Sequence, residues 1–352
     1  MPVHCASGRR PGRTLLLAFL LAAATSPGGL RAQEVPPGDT LRPPPGRFTL
    51  PAGLTLRVGA QLQFDLVAIQ DPPEGEVSGF RVDDARIRFY GTLPRDLSWR
   101  LTTDAGSLLD VRLRKGLPRG FEVDVGLFKP PLTGEYIDSS RNLAFVSRSR
   151  VVRTLVRGRD VGVLLRWEGA PLALEASVVN GDGGLDGEGE RGLMGVLRMD
   201  LMRNGDGGDS LRVGASLAGN GDPEGFTGEG LERRYQSVEQ LVSADVRLVR
   251  GPLLFSAEWT RGWTRTLEGE DPWGGHVTVG GRPRGDTEIM LRLDALNPGG
   301  VDAPDSRQLV AGVSHRPTRE LRFMANLFIP LDDEDEVPDE GLRLFLRSQL
   351  NF

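Results

Sequence analysis

Between positions 129 and 159 the chain carries Lys129, Arg141, Arg148, Arg150, Arg153, Arg157 and Arg159, and no acidic residue lies between 141 and 159. A guanidinium stays charged at any physiological pH and presents a planar fork of donors to oxyanions. Such a run can attract and sort anions; it cannot by itself make or break bonds. Rings of Arg or Lys in a narrow passage select anions, and low-dielectric walls around them concentrate the field. A second set, Arg57, Arg86, Arg88, Arg100, Arg112 and Arg114, sits on the polar positions of alternating segments, with Asp65, Asp110, Glu122 and Asp124 on the same parity. Residues for turnover chemistry are sparse. Cys5 is the only cysteine and His4, His276 and His315 are the only histidines, too scattered for a metal cluster. Ser216 in Gly214-Ala215-Ser216-Leu217-Ala218-Gly219 lacks the spacing of a nucleophile elbow. The acids of the Gly-rich stretches 181–190 and 204–209 miss the spacing of a calcium loop. Glu122 and Asp124 share a strand face, but nothing marks a substrate pocket beside them.

The elements that hold these arginines read as strands. From Leu54 to Ala68 every even position is apolar or Ala, while the odd positions carry Thr55, Arg57, Gly59, Gln61, Gln63 and Asp65. A period of two over that length specifies a strand with one wet and one apolar face. Further strands are predicted near 80–92, 97–104, 108–116, 121–129, 160–168, 171–180, 191–202, 211–219, 237–249, 253–262, 273–281, 286–295, 307–315, 320–330 and 342–352. With 54–68 that makes about sixteen, and the even number suits a membrane barrel. Short Arg-bearing turns, such as 93–96, 117–120, 250–252, 282–285 and 316–319, alternate with mostly longer acidic loops at 70–79, 181–190, 220–236, 264–272, 296–306 and 331–341. Short turns on one rim and long loops on the other is the outer-membrane arrangement.

The ends agree with this. Residues 1–32 read as a secretory signal, with Arg9, Arg10 and Arg13 before the apolar run Leu15–Ala24. That run is too short to span a membrane as a helix. Residues 33–50 are a Pro-rich periplasmic lead-in, and 51–352 the barrel domain. The last strand alternates to a terminal Phe352, like the closing strand of outer-membrane barrels that the barrel-assembly machinery receives. The expected fold is therefore all-β: a transmembrane antiparallel up-and-down β-barrel in the bacterial outer membrane. An Arg facing lipid at the bilayer midplane costs roughly 2–4 kcal/mol, so the strand arginines must face inward. A barrel this wide holds water. A wet, charged lumen makes a diffusion channel for small hydrophilic solutes, with outer-membrane lipid around it. Neither a cofactor, a metal nor nucleic acid is implied. An outer-membrane barrel enzyme, and a non-conducting structural or adhesive surface barrel, stay open as alternatives.

Several segments, taken in order, carry a family likeness: Ala85-Arg86-Ile87-Arg88-Phe89-Tyr90-Gly91 before Asp96-Leu97-Ser98-Trp99, then Val125-Gly126-Leu127-Phe128-Lys129-Pro130-Pro131. Ser139-Ser140, Arg148-Ser149, Arg159-Asp160-Val161-Gly162 and Asn180-Gly181-Asp182-Gly183 continue it. Here the chain resembles the phosphate-selective porin O and P family. The resemblance implies a sixteen-stranded porin, commonly trimeric, whose third external loop (here 130–159) folds inward and narrows the pore. It also implies an arginine ladder and a lysine site for phosphate or polyphosphate. This chain departs from that ladder, with Gln61 in place of an arginine, Asp83 and Asp84 in place of an arginine pair, and Tyr136 where the central lysine falls. The expectation is a pore preferring small anions without a tight phosphate site.

Overall fold

The computed structural model describes residues 48–49, 54–70, 77–156, 158–181, 193–220, 238–264, 270–299, 305–332 and 341–352. The expected signal and most of the expected lead-in, Arg157, and most of the acidic loop residues lie outside these. The alternating segments form sixteen strands. The first four are β1 (Thr55–Ile69), β2 (Gly79–Leu93), β3 (Leu97–Asp104) and β4 (Ser107–Gly116). Then come β5 (Phe121–Phe128), β6 (Asp160–Gly169), β7 (Leu172–Val179) and β8 (Met194–Asn204). β9 (Ser210–Asn220), β10 (Val238–Arg250), β11 (Leu253–Thr264) and β12 (Trp273–Arg284) follow. β13 (Thr287–Asn297), β14 (Ser306–His315), β15 (Leu321–Pro330) and β16 (Arg343–Asn351) complete the set. A two-residue strand, Phe48–Thr49, lies beside the start of β1.

Each strand pairs antiparallel with its sequence neighbours, and β16 returns to β1 from Arg343 opposite Ile69 to Asn351 opposite Gln61. The sheet is a closed barrel with no free edge, which removes the row of unpaired donors an open sheet would expose. The amide of Phe352 donates to the Ala60 carbonyl at 2.9 Å and so extends the seam. One bulge matters for the interior. Gln63 faces Asp84 while Phe64 faces Val82, so Asp83 is the extra residue. A bulge resets the alternation, and both Asp83 and Asp84 carry their carboxylates inward, Asp83 to Arg347 and Asp84 to Arg86.

Burial runs opposite to that of a soluble protein. Phe64 is 49% exposed and Leu293 50%, with Leu197, Leu291 and Val279 on the same outer face. Arg292 is 1% exposed, and Arg198, Arg322, Arg347, Asp65, Asp124 and Asp294 are buried with it. Apolar outside and ionised inside is the economical arrangement only when hydrocarbon is the outer solvent.

The interior also has an apolar patch that the alternation did not mark. Inward positions Met194, Val196, Ala218, Leu241 and Leu296 pack with Leu132, Tyr136, Val151, Val152, Leu155 and Val156 of the β5–β6 loop. A second cluster joins the loop residues Phe145 and Val146 to Met290, Val310, Met324 and Phe328. These wall positions are wet-parity sites filled by apolar side chains because a segment of the same chain covers them.

Candidate functional site

The third loop enters the lumen and is held there from nearly every side. Two short helices, α1 (Gly134–Ile137) and α2 (Arg150–Leu155), give it shape. Thr133 caps α1 by accepting from the Tyr136 amide at 3.2 Å. Gly134 lets the loop sit close against β10, where a Cβ would run into the Asp245 carboxylate and displace it. The loop leaves β5 and reaches β13, eight strands round a ring of sixteen, and so touches the opposite wall.

Guanidinium groups of the wall do much of the holding. Arg292 donates to Glu135 Oε1 and the Ser147 carbonyl, each at 3.3 Å, and lies over the Phe145 ring at 4.7 Å. Arg322 donates to the carbonyls of Leu143 (2.8 Å) and Arg141 (3.3 Å). Arg347 donates to the Val146 carbonyl at 3.0 Å while binding Asp65 at 2.7 and 2.8 Å. Carboxylates receive the loop's amides: Glu258 that of Glu135 at 2.7 Å, and Asp294 that of Arg150 at 3.0 Å. Within the loop, Glu135 accepts from the Ser149 amide at 2.7 Å. Burial pushes the Glu135 carboxyl up, but His276, Arg292 and the Ser149 donors outweigh it and hold it below the usual carboxylate range.

The cations of the loop fall into distinct settings. Arg159 pairs with Asp110 of β4 at 3.0 Å. Arg148 donates to the carbonyls of Glu135 (3.2 Å) and Asp138 (2.8 Å). Lys129 donates to the Tyr136 and Asp138 carbonyls at 2.7 and 3.2 Å. Burial, with Arg148 and Arg159 close by, pushes its ammonium well below the ordinary lysine range. Arg150 is buried against Ser306 at 2.5 Å, whereas Arg153 is exposed and Arg141 half-buried. The expectation of six arginines without acid partners needs correction at Arg159, because acids absent from the loop arrive from the wall.

The wall arginines differ as well. Arg86 bridges Asp84 (2.5 Å) and Asp104 (2.8 Å) and donates to Ser140 of the loop at 2.6 Å. Arg88 donates to Gln61 Oε1 at 2.6 Å. Arg112 and Arg114 share Asp124, at 3.2 and 2.6 Å, with Arg166. Arg57 and Arg100 line a recess near the short-turn rim. A sixteen-stranded barrel with charged inner walls and an internal third loop is the architecture of an outer-membrane channel.

The sequence profile of the phosphate-selective porin O and P family matches residues 54–248, more than half of the chain. The chain belongs to this porin family. Solved porins share its fold. OmpT of Vibrio cholerae superposes with a TM-score of 0.59 at 10% identity, over 87% of this chain and 100% of that one. Its loop L8 deletion mutant gives 0.61 at 12% identity, over 85% and 99%. The OmpF of Salmonella typhi in complex with daunomycin gives 0.60 at 11%, over 87% and 100%. Among curated proteins none matches the chain. The protein is thus an outer-membrane porin, a diffusion channel.

In this porin the wall arginines 292, 322 and 347 act as loop clamps. No local pattern marks them, because each grips backbone 145 to 201 positions away in sequence. Glu135 was equally silent: its partners Arg292 and Ser149 are 157 and 14 residues distant. Gln61 donates to Asp84 at 2.8 Å and to Ser140 at 2.9 Å, which ties the loop to β1 and β2 without adding charge.

Proposed function

We propose that this porin passes small hydrophilic solutes with a preference for anions, without a tight phosphate site and without catalysis. The carrying observation is a charge imbalance: residues 129–159 hold seven cations against Glu135 and Asp138, while many wall arginines are matched by inward acids such as Asp65, Asp84 and Asp124. The loop therefore sets the sign of the field at the narrow part of the lumen. Lys129, Arg141, Arg148, Arg150, Arg153, Arg157 and Arg159 supply that field, and Arg57, Arg86, Arg88, Arg100, Arg112 and Arg114 line the path on either side. Gln61 and the acids Asp83 and Asp84 oppose tight phosphate binding at the ladder positions. As in the family, a homotrimer in outer-membrane lipid is the form in which the pore works, each barrel inserted by the barrel-assembly machinery through the closing strand that ends at Phe352.

The test is reversal potential in a potassium chloride gradient with purified protein in a planar bilayer. A chloride-permeable sign at neutral pH is the expected outcome. Arg153→Gln combined with Arg141→Gln moves the potential toward zero. Cation preference in the unmodified protein overturns the proposal.

A further inference from the structure

Arg212 of β9 and Arg247 of β10 stand directly opposite one another on the inner wall. Like charges in that arrangement destabilise a sheet, and the acid that relieves both comes from the third loop. Asp138, which follows α1, meets Arg247 at 3.1 Å and Arg212 at 3.5 Å, with one carboxylate oxygen on each. The wall acids are already engaged. Arg198, fully buried, holds Asp200 at 2.6 Å and Asp245 at 2.8 Å. Arg212 reaches the same two acids at 4.0 and 3.6 Å, and its buried Nε has no hydrogen-bond partner among the described residues.

The Asp138 pairs differ in kind from the clamps that seat the loop. Arg198 and Arg347 grip their acids at 2.6 and 2.7 Å in the dry interior, within or below the usual span of charge-assisted bonds. The Asp138 contacts are longer and wet: the Arg247 side chain is 43% exposed and that of Asp138 24%. Arg247 has the inward parity of Asp245 on the same strand, so the water it meets is that of the lumen. An ion pair this accessible adds little to stability. Lys129 and Arg148 hold Asp138 by its backbone carbonyl instead, so the loop does not depend on this carboxylate for its position. Two guanidinium groups with one carboxylate oxygen on each also define what fits between them, because the chain has put a carboxylate there itself.

We infer that Asp138 is a specificity-determining residue of the pore: it fills a carboxylate seat between Arg212 and Arg247, and so keeps solute carboxylates from being retained there. The inference rests on the anion-preferring reading of the pore and deepens it, by naming the residue that stops anion preference from becoming anion binding. The seat lies on β9 and β10, away from Gln61, Asp83 and Asp84.

Single-channel conductance of the full-length porin in planar bilayers, followed against concentration in potassium acetate and in potassium chloride, tests it. Conductance of the unmodified protein stays proportional to acetate concentration. Asp138→Asn, which keeps the backbone carbonyl and its donors, makes the acetate curve level off and raises acetate permeability over potassium by roughly twofold to fivefold, the scale of an exposed ion pair. Arg247→Gln added to Asp138→Asn restores proportionality. Glu122→Gln removes a carboxylate that pairs with Arg114 at 3.0 Å on β5; it shifts the reversal potential without bending the acetate curve. The seat is overturned if Asp138→Asn leaves the acetate curve straight, if Arg247→Gln does not undo the levelling, or if chloride levels off at the same concentration as acetate. A loop merely loosened by the substitution shows a raised chloride conductance that Arg247→Gln does not reverse, and that result overturns the seat too. Reversal potential of the unmodified protein in potassium chloride reads the general ion preference separately. A chloride-preferring pore whose Asp138→Asn form never levels off defeats only the seat. A cation-preferring pore whose Asp138→Asn form still levels off in acetate defeats only the general reading.

Discussion

Single side chains in this porin divide into those that hold structure and those that face solute, and residue type does not separate them. Arg347 contacts Asp65, Gln63, Asp83 and the Val146 carbonyl. Removing one partner of a buried pair leaves an uncompensated charge, at a cost of about 3–5 kcal/mol. Arg347→Met therefore lowers the urea midpoint of the barrel in detergent sharply. Arg347→Met with Asp65→Asn recovers part of that loss, because the stranded carboxylate is gone. Arg153, exposed on α2, lacks this role, and its substitution alters ion preference with little effect on unfolding. Glu135 adds a pH signature. Its carboxyl is held below the usual range, so its contribution is fully present above the unfolded value, about 4.3, and is lost as pH falls through the folded value. Channel current stays quiet from neutral pH down to about that point and becomes noisy only below it, whereas Glu135→Gln is noisy at neutral pH.

At the scale of elements, the third loop is a small domain core set inside a hydrophilic cylinder. Val151, Val152 and Leu155 are buried on α2 against inward apolar wall residues. Leu155→Ala removes packing worth about 2–5 kcal/mol, but the strands are held by their own ladders. The expected result is a loosened loop in an intact barrel: higher and less regular single-channel conductance with an unchanged strand signal in circular dichroism. Unfolding of the whole barrel by this substitution defeats the view that loop and wall are separable. The sequence marked this loop by its length and its cations, but not its apolar residues. Leu132, Phe145 and Val146 lie in an irregular segment, where no period of two or of 3.6 can announce which side is covered.

For the whole molecule, the decisive quantity is which face of each strand meets hydrocarbon. Leu291 lies outward with Ile289 and Leu293. Leu291→Arg should cost about 2–4 kcal/mol near the bilayer midplane, read as a lower denaturant midpoint for refolding into vesicles. An unchanged midpoint in lipid argues against this facing. The sixteen strands, their inward arginines and the outer-membrane setting were all legible in the chain, because lipid punishes every misplaced charge and so writes a period of two into each strand. Only the closed ring decided which arginines meet which acids. It brings Asp110 to Arg159, Arg292 to Glu135 and Arg57 beside Tyr90 and Arg100. Alternation specifies a face for each residue; a partner across the lumen or along a neighbouring strand depends on register and closure, which no local pattern encodes.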